Sequence, residues 1–298
     1  MKKVLVIGSS GLVGSRFIEL AKDKFDIIPV DRQQIDITDK ESIKNFFSGG
    51  GFEVVVNLAA YTDVAGAEKE TGDQNGITWK LNVLAPRYLA EASKEYKKFF
   101  IHFSTDFVFE GLEDSKGPFD EDTILPNDNK NLCWYGWTKN RGEVEVSNVG
   151  TPHAIVRIAN PFRSEFSGKT DFIRKILDLY DQKNLFPLFT DQIITPIFVD
   201  DITDPLTKII DDSLEGNFHI VSADTGSYFE VGSYALEKAR GVKDVAQKAS
   251  LLEFLKTPER NKRPVWGGLA TKKTQEKLNM KFKAWREMID EFALQLKS

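Results

Sequence analysis

The sequence predicts an α/β protein built on a doubly wound parallel sheet, with a smaller mixed α/β lobe attached. Three observations carry this. Short uninterrupted apolar runs, beginning with Val4-Leu5-Val6-Ile7, have the composition of strands covered on both faces. Amphipathic stretches of helical length alternate with them as far as His153-Ala154-Ile155-Val156-Arg157, the rhythm of βαβ units. Glycines at 8, 11 and 14 follow the first run and open a helix.

In chain order, the patterns predict a strand from Lys2 to Ile7, a helix from Leu12 to Lys22 and a strand from Phe25 to Val30. Thr38 with Glu41 three residues later is a capping-box signal for a helix to Ser48, closed by Gly49-Gly50-Gly51. Phe52 to Asn57 repeats the buried-strand pattern. Ile77, Leu81, Leu84, Ala85, Tyr88, Leu89 and Ala92 then recur at helical spacing with one apolar face. Phe99 to Phe103 is a fourth strand and His153 to Arg157 a fifth. Right-handed crossovers place the carboxyl ends of all these strands on one edge, where such sheets bind ligands.

After Ile158 the rhythm loosens into a helix near Phe172 to Tyr180, a Pro- and Phe-rich stretch from Phe186 to Phe198, a helix from Asp201, and helices at Tyr234 to Ala239 and Trp285 to Leu296. Residues 1–158 and 190–215 are therefore assigned to a cofactor-binding sheet domain, and 159–189 and 216–298 to a smaller substrate-binding lobe.

Composition narrows the functions. Across 298 residues, 41% are hydrophobic and 29% charged, ordinary for a globular protein. A net charge of -5 argues against nucleic acid, which needs clustered Lys and Arg; Lys97-Lys98 and Lys272-Lys273 are too short to reverse that. The one cysteine, Cys133, rules out an internal disulfide and reads as an inert buried thiol in a reducing, cytoplasmic setting. No apolar run approaches the roughly 18 to 20 residues of a membrane span, and the N-terminus reads as a strand rather than a signal peptide. His102, His153 and His219 have no ligand spacing between them, so no metal site is expected.

At the first strand's end, glycine permits a tight turn and lets a pyrophosphate approach the free N–H groups of the helix that follows. Gly8, Ser10, Gly11, Leu12, Val13 and Gly14 are the candidate contacts. Asp31, closing the second strand, suits ribose hydroxyls and favours NAD, while Arg32 beside it offers a guanidinium to a 2′-phosphate; the pair leaves NADH or NADPH open. Asp36 and Ile37 are candidates beside the adenine. Leu58, Ala59, Ala60 and Tyr61, after the third strand, are candidates beside the cofactor.

Tyr135 and Lys139 are four residues apart, on one face of a helix. A phenol titrates near pH 10, and using it near neutrality takes a shift of about two to three units, roughly 3 to 4 kcal/mol, supplied by nearby positive charge. Lys139 and an oxidised nicotinamide would provide it. Thr105, in Ser104-Thr105-Asp106 after the fourth strand, offers a hydroxyl to polarise a carbonyl, and Asp106 could hold sugar hydroxyls or cap a turn. Trp134 and Trp137 flank the tyrosine and read as core or lid residues.

These residues resemble the extended short-chain dehydrogenase/reductases, and within them the dTDP-4-dehydrorhamnose reductase group. The likeness rests on Gly8-x-x-Gly11-x-x-Gly14, Asn57-x-Ala59-Ala60-Tyr61-Thr62-x-Val64 with Glu68, Asn82 before Ala85-Pro86, Ser104-Thr105-Asp106-x-Val108-Phe109-x-Gly111, Tyr135-Gly136-x-Thr138-Lys139, Asp191-Gln192 and Arg263-Pro264. It implies a Rossmann-type fold and reduction of a nucleotide-linked 4-keto-6-deoxy sugar by NADH or NADPH, in deoxysugar or cell-surface polysaccharide biosynthesis, with a homodimer left open. By resemblance, Tyr135 donates a proton to the nascent alkoxide, Lys139 binds the nicotinamide ribose and lowers the tyrosine's pKa, and Thr105 bonds the substrate oxygen. Val64, Asp106, Tyr135 and Asn160 fall at the sugar pocket, and Asn82 matches an asparagine whose backbone can hold a relay water.

The chain also departs from the group. Ala159-Asn160-Pro161-Phe162 stands where Ser-Trp-Val-Tyr is usual, the segment from Asp191 to Pro196 differs, and Trp134 replaces a small residue. The sugar therefore stays open, and the resemblance also admits an epimerase, a dehydratase or a non-catalytic NAD(P)-binding regulatory subunit.

Overall fold

The computed structural model describes residues 1–257 and 262–297. Six parallel strands form the central sheet: β1 (Lys3–Ile7), β2 (Asp26–Val30), β3 (Val54–Asn57), β4 (Phe99–Thr105), β5 (His153–Ile158) and β6 (Gly216–His219), in the spatial order β6-β5-β4-β3-β1-β2. The doubly wound arrangement expected from the apolar runs is present. The alternation within each run sorts its side chains to two cores. Leu5, Ile7, Val55, Phe100 and Ile155 face Ile43 and Phe47 of helix Lys40–Ser48, Leu89 of helix Ala85–Glu95 and Val146 of helix Trp134–Val149. Val4, Val6, Val54, Ile101 and Val156 face Phe17 of helix Leu12–Ala21 and Leu206 and Ile209 of helix Thr203–Asp212. That second core continues without a break into the smaller lobe, through Phe162, Val231, Trp285 and Phe292.

Three details differ from the sequence reading. Gly216–His219, placed by sequence in the smaller lobe, pairs with β5 from Gly216↔Ala154 to His219↔Arg157, so the boundary at residue 216 cuts through the sheet. With Phe218 its one strongly apolar residue, this strand lacked the signature of the others. Helix Lys40–Ser48 is capped by Asp39, whose carboxylate accepts the Glu41 N–H at 3.1 Å; Thr38 instead donates its hydroxyl to Asp36 at 2.7 Å. The helix predicted across residues 77–92 contains a π-helical turn, Lys80–Leu84, between Ile77–Trp79 and Ala85–Glu95. Among the described residues no helix is long and apolar enough to cross a membrane.

Candidate active site

The sheet reverses its winding at β1, which has β2 on one side and β3 on the other, so a crevice opens at the carboxyl ends of β1 and β3. Gly8 closes β1 with φ +82°, and its N–H and that of Ser9 both donate to the Val30 carbonyl, at 3.1 and 3.3 Å. A Cβ on Gly8 would stand 2.8 Å from the Ala59 nitrogen, and one on Gly14 would stand 2.3 Å from the Gly8 oxygen. Only glycine fits either place. Helix Leu12–Ala21 begins at Gly11 with no side-chain cap and no acidic residue in its first turn, leaving backbone N–H groups for an anion. Ser10 and Gly11 are exposed, Leu12 is half-buried and Val13 is buried. This cradle fits a dinucleotide pyrophosphate.

Around it, Leu58, Ala59, Ala60 and Tyr61 are half-buried beyond β3. The Asn82 side chain clamps this segment, accepting the Tyr61 N–H at 2.8 Å and donating to the Tyr61 carbonyl at 3.1 Å. Asp31 folds its own turn by accepting the Gln33 N–H at 2.8 Å; Arg32 is exposed beside it. Asp36 accepts both the backbone and the hydroxyl of Thr38, and Ile37 is a core residue under the cleft's edge.

The second half gathers at the end of β4. Cys133 caps helix Trp134–Val149 through its sulfur, 3.3 Å from the Gly136 nitrogen, and burial pushes this thiol up to about 12. Glu68 accepts the Trp134 N–H at 2.5 Å. Two glycines let the helix lie close: a Cβ on Gly136 would come within 2.3 Å of the Phe107 carbonyl oxygen, and one on Gly142 within 2.1 Å of that of Asn82 in the π-turn. Trp134 is buried against Trp79, with ring centroids 5.8 Å apart, so it is core, and Trp137 lies under the Arg141 guanidinium.

Thr105, Asp106 and Tyr135 come together there, with Lys139 one helical turn beyond the tyrosine. The Thr105 hydroxyl neighbours the Tyr135 phenol and donates to Asp106 Oδ1 at 3.1 Å. Burial drives the Tyr135 phenol above its ordinary value, the Thr105 hydroxyl pulling it down and the Asp106 charge adding to the rise. Burial likewise lifts Asp106 to about 6. Lys139 is 2% exposed, donates to the Phe103 carbonyl at 2.7 Å and stands 3.3 Å from His102 Nε2; burial lowers it to about 8. The phenol is thus raised because burial outweighs the local charges, while the lowering expected from the sequence draws on an oxidised nicotinamide as well as Lys139.

Ile158 pairs with Thr105, which puts Asn160 two residues beyond the sheet edge on the neighbouring strand; its φ of +43° is a left-handed conformation that asparagine tolerates. Val64 opens the short helix Val64–Glu68, and no contact joins it to Asn160 among those described. Asp191 caps helix Leu251–Leu255, accepting Ser250 Oγ and the Leu251 N–H, each at 2.6 Å. Pro264 packs on Gly111, whose carbonyl accepts from Val265 and Trp266, so two distant motifs form one wall. Sequence reasoning passed over Asn57 and His102 as partners of Lys139. The available signal was a histidine inside an apolar strand, in line with Phe100 on the same face. Among the described residues no His, Cys, Asp or Glu cluster is arranged to hold a metal.

A glycine cradle at the switch point and a tyrosine and lysine on the next edge define a Rossmann-type, pyridine-nucleotide-dependent oxidoreductase. The chain belongs to the RmlD substrate binding domain family, whose model matches residues 1–298. It is 26% identical over 300 residues to a dTDP-4-dehydrorhamnose reductase of Aggregatibacter actinomycetemcomitans, covering 97% of each chain. It is 28% identical over 231 residues, 73% of each chain, to a probable low-salt glycan biosynthesis reductase of Haloferax volcanii. The crystal structure of dTDP-4-dehydrorhamnose reductase from Bacillus anthracis in complex with NADP superposes with a TM-score of 0.87 at 25% identity, over 99% of this chain and 100% of that one.

Proposed function

We propose that this protein is a reductase that uses NADPH or NADH to convert the keto group of a nucleotide-linked 4-keto-6-deoxy sugar to an alcohol, in deoxysugar polysaccharide biosynthesis. The observation that carries this is the placement of Tyr135 and Lys139 one turn apart on the helix packed against the end of β4 that bears Thr105, with Lys139 anchored on the Phe103 carbonyl of that strand. Gly8, Ser10, Gly11, Leu12, Val13 and Gly14 hold the pyrophosphate, Asp31, Arg32, Asp36 and Ile37 border the adenosine, and Leu58 to Tyr61 with Lys139 border the nicotinamide half. When bound, the reduced nicotinamide supplies a hydride to the carbonyl carbon.

Thr105 donates a hydrogen bond to the carbonyl oxygen and orients it toward Tyr135. Tyr135 then gives its phenolic proton to that oxygen as it becomes an alkoxide. A raised phenol suits this direction, since the residue is fully protonated before the reaction. Asp106 and Val64 line the sugar pocket, and Asn160 stands where the choice of sugar is made. The lone, buried Cys133 fits a cytoplasmic site of action.

The test is loss of NADPH or NADH absorbance when purified protein meets a panel of dTDP-linked 4-keto-6-deoxy sugars. Failure on every nucleotide-linked keto sugar sinks the proposal. Product formation without net cofactor consumption identifies an epimerase or dehydratase instead.

A further inference from the structure

The backbone N–H of Ala59 can only donate, and it donates to Asn57 Oδ1 at 3.1 Å. That orients the whole carboxamide: the atom facing His102 Nδ1, at 3.2 Å, is the Asn57 Nδ2 donor. His102 Nδ1 must therefore accept, and a neutral ring carries its proton on Nε2, which stands 3.3 Å from Lys139 Nζ. An ammonium has only donors. Set against the Nε2–H it would leave two donors facing each other in a place closed to water, with Asn57 and His102 at 0% exposure and Lys139 at 2%. An amine accepts through its lone pair and still donates to the Phe103 carbonyl.

We propose that Asn57 and His102 are positioning residues: a one-way hydrogen-bond chain, Ala59 N–H to Asn57 to His102 to Lys139, that holds Lys139 as an uncharged amine until a further acceptor reaches it. The chain starts in the floor of the glycine cradle, since Ala59 is the residue a Cβ on Gly8 would strike. The other groups around Lys139 do not reverse it. Glu143, one turn along the same helix, favours the charged form, but Arg157 binds that carboxylate at 2.7 Å. Tyr135, one turn back, neighbours Thr105, whose hydroxyl is engaged by Asp106. From the sheet, burial itself holds His102 neutral, whatever the state of the lysine. Burial itself lowers Lys139, in the same sense as the chain. Lys139 then carries its charge only when a new acceptor displaces the Nε2–H or when the pH falls.

The importance of Lys139 to the reaction rests on the reductase reading, but the hydrogen-bond chain consists of protein groups alone, so the two can fail separately. Nitrogen NMR of histidine-labelled protein has three residues to resolve, and His102→Gln identifies the relevant signals. The expected result is the Nε2–H tautomer for His102. The isosteric Asn57→Asp offers only acceptor oxygens, so the ring must donate from Nδ1 and accept at Nε2; Lys139, followed through its Cε resonance, should then titrate at least about one pH unit higher. An Nδ1–H tautomer in the unmodified protein overturns the proposal, whatever the fate of the variant. So does a reversed tautomer in Asn57→Asp with the Lys139 titration unmoved. Absence of turnover on keto sugars leaves both readouts intact.

Discussion

His102 and His219 make a controlled comparison. Both are fully buried on parallel strands of one sheet, β4 and β6, and both stand beside a basic side chain, Lys139 or Arg157. Their backbone partners are opposite. His219 Nδ1 lies 2.8 Å from the Ala270 carbonyl, so it donates there and leaves Nε2 to accept from Arg157 NH1 at 3.1 Å. Arg157 also makes a double contact with Glu143, at 3.0 Å from Nε and 2.7 Å from NH2. Every charge there is matched. At His102 the fixed donor lies on the far side, the ring presents its N–H to the lysine, and the lysine's remaining contact is a carbonyl. A cation buried with a carboxylate is locked in its charged state, so that removing either partner is costly, whereas burial without one leaves a proton that can be moved.

Four changes probe that division. Glu143→Ala leaves Arg157 charged and unmatched in the core and should cost roughly 3 to 5 kcal/mol, read by denaturant unfolding. Tyr135→Phe should lower kcat by about 100-fold or more, the scale of one general acid, with cofactor affinity and stability nearly unchanged. If Tyr135→Phe instead unfolds the protein as Glu143→Ala does, the two halves of the helix are not distinct. Gly14→Ala pushes a methyl against the Gly8 carbonyl and should weaken NADPH or NADH binding at least about tenfold in a fluorescence titration, without touching either histidine.

The smallest effect concerns pH. His219 is held down to about 3 by burial and by Arg157, against 6.5 in the ordinary state. The unfolded chain therefore binds more protons between these values, and stability falls as the pH drops through 6.5 toward 3. The loss attributable to this residue reaches about 1 kcal/mol near pH 6. Asp106, lifted to about 6, contributes the opposite slope, so the measurement is a difference. His219→Gln should lose less stability than the unmodified protein as the pH falls across the same range; equal slopes would mean that His219 is not the buried neutral ring described.

Much of this molecule could be read along the chain, because the signals were local and repeated. The apolar runs of β1, β3, β4 and β5 named a parallel sheet, and residues 135 and 139 share a face through helical spacing alone. The glycines at 8 and 14 announced a turn whose tightness the 2.8 and 2.3 Å approaches measure. Other features needed the fold. The strand Gly216–His219 gains its place from β5, since its own sequence carries little strand signal. Asp39 rather than Thr38 caps its helix by a choice between adjacent oxygens that the pattern does not distinguish. Asn57, His102 and Lys139 are 45 and 37 residues apart, and only strand register together with the seating of one helix brings them into line. The sequence by itself determined the sheet, the glycine turn and the shared helix face of Tyr135 and Lys139, since these depend on short-range periodicity. Tertiary structure decided which way each proton points, because hydrogen-bond direction depends on partners that only folding supplies.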